Sequence, residues 1–358
     1  MNNNVKQVAK IKVFGIGGAG CNAVNSMVRE GMGGVEFYVA NTDQQVLDVS
    51  EVKNRITLGK NGQGAGAEPE VGRKAALECE EEIRAAIKGA DMVFLTAGLG
   101  GGTGTGAAPV FAKIAKDEGC LTVGIVTKPF SFEGRKRTTM ALVGLEQLKE
   151  YVDSLIIISN NQLLQVIGRM PITDAFKEAD KVLRQGVQTI TDLISVPSLI
   201  NLDFADVTTV MKNQGSALIG IGMGTGEDKA VNAAADAIRS PLLEAQISGA
   251  KNAIVNISGG ENINIMDASE AIEYIREASG DDIEIIFGVA INEELEDRVI
   301  VTVIATGFEL DDGSANLFPK NESRRNLEKA ETEAKKSVDS KINSDDAEVP
   351  SFFGSKAK

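Results

Sequence analysis

The chain has 358 residues, more than one compact core usually holds, so its length favours two domains. Lys and Arg number 37 against 51 Asp and Glu, a net −14; residues 313–358 carry a net +1, which leaves −15 on residues 1–312. A body that acidic argues against nucleic acid as a partner, and the lack of any histidine removes every mechanism that needs an imidazole.

No run approaches the roughly 18 apolar residues of a bilayer span, and the opening MNNNVKQVAK has no apolar core of a secretory signal. Three spaced cysteines, Cys21, Cys79 and Cys120, form neither a disulfide framework nor a metal knuckle. The expected compartment is the cytoplasm, with no direct membrane insertion.

Strands and helices alternate through the first segment. IKVFGI (11–16) reads as a strand, followed by helical spacing over 21–30; VEFYVA (35–40) is a second strand. A glycine-rich loop leads into a helix over 71–88, MVFLTA (92–97) is a strand, and a second glycine run precedes a helix over 109–118. Residues 121–127 and 155–159 are further buried strands. This spacing argues for a parallel sheet with helices on both faces. Residues 171–196 form one long helix, with Phe176 within its apolar stripe and Pro197 ending it. Four strands (217–222, 253–257, 283–291, 299–305) and helices over 227–240 and 266–279 then make a smaller mixed sheet. The expected division is 1–170, a central helix 171–197, and 198–312. Beyond that, 313–348 reads as a disordered charged linker, and 349–358, with VPSFFGSK, as a partner-binding peptide or an inert end.

Gly15, Gly17 and Gly20 make G-x-G-x-x-G between a strand and a helix, a phosphate-binding turn; Asp43 stands where a dinucleotide fold places its ribose acid. Alone, the motif suggests NAD or an empty tight turn. The run Gly98-Leu99-Gly100-Gly101-Gly102-Thr103-Gly104-Thr105-Gly106 shifts the balance toward several phosphates. Its backbone amides can wrap their oxygens, with Thr103 and Thr105 adding hydroxyls. The loop 62–66 is a third glycine element, expected to close over the same site. Phe176 and Asp180 share a helix face at i, i+4. They read either as a core Phe beside a surface Asp, or as a base-stacking ring and a carboxylate for guanine N1–H and N2–H₂. Glu133 and Arg137 are either a solvated ion pair or contacts to sugar and base. In NLDFAD (201–206), the two carboxylates either orient a water or a cation or serve as ordinary helix-start acids.

Taken together, GIGGAGCNAVN, NTD, GAGAEPEVGR, GLGGGTGTGAAP, TKPFSFEGRKR, AFKEADKVLRQGVQ, NLDFADV and GSALIGIG, in that order, resemble FtsZ, the bacterial tubulin-like cell-division GTPase. The resemblance covers about residues 11–308. It implies an α/β, tubulin/FtsZ-like fold: a Rossmann-like parallel-sheet GTPase domain, a long central helix and a smaller mixed α/β second domain. It implies GTP or GDP, with Mg2+ and K+ as candidate cations, held by Gly17, Gly18, Ala19, Gly20, Cys21 and Asn22 and by Gly101, Gly102, Thr103, Gly104, Thr105 and Gly106. Glu133, Arg137, Asn160, Phe176 and Asp180 would contact nucleoside, while Asn201, Asp203 and Asp206 would reach the next subunit's nucleotide. Filaments of the chain with itself, assembled head to tail into a midcell ring, follow from the same resemblance. So do membrane-anchor and division-regulator proteins on the terminal peptide. Ala19, Cys21, Ser159-Asn160-Asn161 and the missing Leu-Arg of the terminal peptide depart from the usual pattern. The rivals are a tubulin-like plasmid-segregation filament and a NAD-dependent enzyme.

Overall fold

Parallel β-strands need crossover connections, and the chain supplies them as helices. In a computed structural model, residues 9–168, 170–195, 203–240, 247–280 and 282–308 are described. In order these form β1 (Ile11–Ile16), α1 (Gly17–Arg29), β2 (Val35–Asn41), α2 (Gln44–Asp48), β3 (Asn54–Thr57), α3 (Pro69–Glu78), α4 (Glu80–Ile87) and β4 (Met92–Gly98). Then come α5 (Thr103–Asp117), β5 (Leu121–Lys128), α6 (Arg135–Lys149), β6 (Ser154–Ser159), α7 (Asn160–Ile167), α8 (Ile172–Ser195) and α9 (Phe204–Met211). The second half holds β7 (Gly215–Gly224), α10 (Lys229–Ile238), β8 (Asn252–Gly259), α11 (Ile265–Ser279), β9 (Glu284–Ile291) and β10 (Val299–Thr306). Asn201 and the regions 313–348 and 349–358 lie outside the described residues.

The strands run in the order β3-β2-β1-β4-β5-β6-β7-β10-β8-β9. Pairing is parallel from β3 to β7, antiparallel on both sides of β10, and parallel again between β8 and β9. Chain direction across the sheet reverses between β1 and β4, the position where open α/β sheets leave a crevice at their carboxyl ends. One face of the parallel sheet buries Met27, Phe94, Ile125 and Ile156 under α1 and α8; the other buries Phe14, Leu95, Phe111 and Leu145. A third core, with Ala233, Ala237, Ile275 and Val301, underlies the mixed half.

Helix α8 buries Val182, Leu183, Val187, Ile190 and Leu193, each contributing about 1.5–3 kcal/mol. Phe176 breaks that stripe: it stays 41% exposed. The ring is therefore not a core residue, although its sequence spacing fits one.

Three elements differ from the sequence expectation. The helix expected to open at residue 109 begins at Thr103, and Pro109 lies inside it. The glycine run is thus half loop and half helix, at the loss of the one hydrogen bond Pro109 cannot donate. The helix expected over 71–88 is two, broken where the Cys79 thiol donates to Thr57 O and accepts from Gly59 N. Asp43 is not a ribose acid: its carboxylate caps α2, accepting from Gln45 N at 3.0 Å.

Candidate functional site

A cavity of about 270 Å³ opens at the carboxyl ends of β1, β4, β5 and β6. Its floor is the first turn of α1 (Gly18, Ala19) and the loop into α5 (Gly98, Leu99, Gly101, Gly102, Thr103, Gly104). Neither α1, α5 nor α7 has a side-chain cap at its N-terminus, so free N–H groups and positive dipole ends converge on the crevice. An anion is what such a surface binds.

The glycines divide by role. A Cβ on Gly17 would lie 2.8 Å from Gly104 N, and one on Gly106 would lie 1.9 Å from Pro69 O, so both are demanded by the protein's own packing. At Gly18 and Gly101 an added Cβ meets no protein atom within 4 Å. Glycine there leaves backbone bare to the cavity, which suits a ligand lying against it. Thr105 faces inward: its hydroxyl accepts from Gly100 N at 2.8 Å and fixes the loop's shape. Thr103 shares a 2.7 Å hydrogen bond with Thr42.

The opposite wall is assembled by Pro129 and Thr127, Glu133 and Arg137, Asn160, and Phe176, Ala179 and Asp180 of α8. Phe176 meets Phe130 edge-on with centroids 5.2 Å apart, and Phe130 stacks on Phe132 at 5.0 Å. Glu133 accepts from Phe130 N at 2.9 Å and pairs with Arg137. Asn160 is 5% exposed and its Oδ1 finds no partner among the described residues, a cost a ligand donor relieves. Burial pushes the Asp180 carboxyl up to about 7. A half-buried acceptor with no cation beside it among the described residues suits a ligand that brings its own N–H donors.

Of the residues expected from sequence, Gly18, Ala19, Gly101, Gly102, Thr103, Gly104, Glu133, Arg137, Asn160, Phe176 and Asp180 line this one cavity. Gly17, Gly20, Cys21, Asn22, Thr105 and Gly106 do not. Cys21 is fully buried; its thiol points to Gly15 O and Ala40 O, and burial pushes it up to about 12. The loop 62–66 does not line the cavity either; Ala65 and Glu68 instead back Gly102 from behind. Thr127 and Pro129 were not singled out from sequence; their signal was position, at the carboxyl end of a buried parallel strand.

Asp203 and Asp206 lie elsewhere. Each carboxylate accepts from the other's backbone N–H, at 2.9 and 3.0 Å, a reciprocal cap on α9. Phe204 and Thr208 of the same helix share a crevice with Leu121, Asp153 and Asn213, at the amino ends of the strands. From Leu121 to Thr127, at about 3.3 Å per residue, the two ends of β5 are roughly 20 Å apart. The acids and the cavity therefore occupy opposite ends of the sheet. Among the described residues no three carboxylates or thiols come together as metal ligands, and no helix is long and apolar enough to cross a membrane.

Comparison with known proteins sets this geometry in a family. The GTPase domain of the Tubulin/FtsZ family matches residues 10–168, and the C-terminal domain of the FtsZ family matches 215–309. The empty FtsZ dimer of M. jannaschii superposes with TM-score 0.81 at 44% identity, covering 85% of this chain and 89% of that one. The chain belongs to the FtsZ family. A tryptophan-to-tyrosine variant of the same M. jannaschii FtsZ gives TM-score 0.81 at 44% identity, over 85% of this chain and 94% of its own. CetZ2 from Haloferax volcanii, a GTPγS-bound protofilament, shares the fold at 22% identity and TM-score 0.74, covering 90% and 99%. Membership in the FtsZ family makes this chain a GTPase of the cytoskeletal, tubulin-like type. The parallel-sheet half corresponds to the GTPase domain and the mixed half to the FtsZ C-terminal domain.

Proposed function

We propose that this chain binds GTP in the cavity beside Gly101–Gly104 and polymerises head to tail. It hydrolyses the nucleotide at each junction, and its filaments form the division ring at midcell. The phosphates lie against the uncapped starts of α1 and α5; Glu133 and Arg137 take the ribose, Phe176 stacks on the base, and Asp180 accepts from guanine N1–H and N2–H₂. Mg2+ is held chiefly by the phosphates themselves, with K+ as an alternative cation.

One observation carries the shared-site reading: Asp203 and Asp206 stand roughly 20 Å of strand away from the cavity of their own chain. They act on a nucleotide only if a second copy presents it to them. The M. jannaschii FtsZ appears as a dimer, which supports self-association here. Asn201, Asp203 and Asp206 then orient water or a cation against the terminal phosphate of the adjoining subunit. A heterologous contact of this kind repeats without closing and yields a filament. The peptide 349–358 recruits membrane-anchor and division-regulator proteins.

The test is light scattering with GTP, GDP and ATP in parallel. Scattering with GTP alone supports the reading; equal scattering with ATP, or none with GTP, contradicts it.

A further inference from the structure

The phosphate end of the cavity has a charged neighbour outside its lining. Glu68 precedes α3, and its backbone backs the phosphate loop: a Cβ on Gly102 would lie 2.9 Å from Glu68 N. Its carboxylate accepts from Lys136 Nζ at 2.8 Å. Lys136 is the second residue of α6, next to Arg137, whose carbonyl would touch a Cβ on Gly100 at 2.8 Å. The ion pair thus joins the two elements that abut the ends of this short stretch, α6 at Gly100 and the segment before α3 at Gly102.

A carboxylate so near a triphosphate site opposes a further negative charge unless a cation neutralises it. Lys136 supplies that cation, and it is loosely held. The two side chains are 71% and 58% exposed, and an exposed pair shifts an equilibrium by about fivefold at most. Phosphate oxygens carry more charge than one carboxylate and compete well for an ammonium. The segment before Glu68 is wound tightly, with Gly64, Gly66 and the non-glycine Ala67 all at positive φ. That tight winding fixes where the Glu68 backbone sits beside the loop.

We propose that Lys136 reads the third phosphate: it leaves Glu68 for the terminal phosphate of a nucleoside triphosphate, and returns to Glu68 when only the diphosphate remains. The inference rests on the cavity being the guanine-nucleotide pocket. Lys136 sets triphosphate-over-diphosphate preference, and Glu68 limits that preference by competing for the same ammonium.

The test uses the full chain below its assembly concentration, titrated with GTPγS and with GDP. Lys136→Met lowers the GTPγS-to-GDP affinity ratio about fivefold and leaves GDP binding within about twofold, while Lys136→Arg keeps the ratio. Glu68→Gln raises the ratio by removing the competitor. An unchanged ratio in Lys136→Met, or equal weakening of both nucleotides, overturns the proposal while the pocket reading stands. A wild-type chain that binds neither nucleotide overturns both.

Discussion

Replacing Asp180 by asparagine tests how the base is chosen. The carboxyl is pushed up to about 7 by burial, from an ordinary value of 3.8. Guanine N1–H and N2–H₂ need an acceptor with no proton, so the empty pocket must give up the Asp180 proton before it binds. With a midpoint of about 7, the competent fraction is about nine-tenths at pH 8 and about one-tenth at pH 6. Wild-type affinity for GDP therefore falls roughly tenfold between those values beyond the titration of the nucleotide's own phosphates. Asp180→Asn keeps the shape, removes the charge and turns an N–H₂ toward the base. The loss is about 2–3 kcal/mol, on the order of 100-fold in GDP affinity. Xanthine nucleotides, with a carbonyl in place of N2–H₂, are penalised less. Equilibrium titration of both proteins with GDP at pH 6, 7 and 8 separates the terms, because the phosphate titration is common to both. Parallel pH slopes in wild type and variant would refute the assignment. Folding supplies an independent check. A carboxyl raised above its unfolded value contributes stability that is fully present below about 3.8 and lost as pH rises through about 7. The nucleotide-free wild type thus loses thermal stability relative to Asp180→Asn between pH 5 and pH 8.

Three further outcomes follow from geometry and composition. Gly106→Ala forces a methyl against Pro69 O and lowers the melting temperature, by about 1–3 kcal/mol of stability. Gly18→Ala meets no protein atom, so it melts like wild type yet binds GDP more weakly; equal melting of the two variants in thermal denaturation contradicts this division of roles. Deleting residues 349–358 leaves GTP-dependent scattering unchanged and abolishes co-sedimentation with membrane-anchor proteins; retained co-sedimentation refutes the peptide's role.

Strand positions were legible because a parallel sheet buries both faces, so IKVFGI and MVFLTA read as apolar runs interrupted only by Lys12 and Thr96, both buried. Helix starts were not. Glycine and threonine carry weak helical preference, and nothing in GGTGTGAAP reveals that Gly104 and Gly106 nestle against neighbouring backbone and so join α5. For Phe176 the spacing left two readings open, a core ring or a base contact. Periodicity marks a face, but that face emerges from the core into the cavity within its first turns. In the inner half of the first glycine motif, Gly20 and Cys21 pack α1 onto the sheet, a role that the motif's spacing does not separate from ligand contact. For the acidic pair 203/206 the residues alone left water or cation positioning and a helix start as alternatives, and its local hydrogen bonds are those of a reciprocal helix cap.

The central claim is that one nucleotide is served by two chains, and mixing two defective proteins measures it most directly. Asp206→Asn keeps an oxygen for the α9 cap and an intact cavity, while Thr103→Arg fills the phosphate end and spares the acids. Each alone hydrolyses GTP slowly. Mixed junctions that pair an intact cavity with an intact acidic segment restore phosphate release, with a maximum near equal proportions. A mixture that stays inactive while both proteins co-sediment in one filament would contradict the shared site.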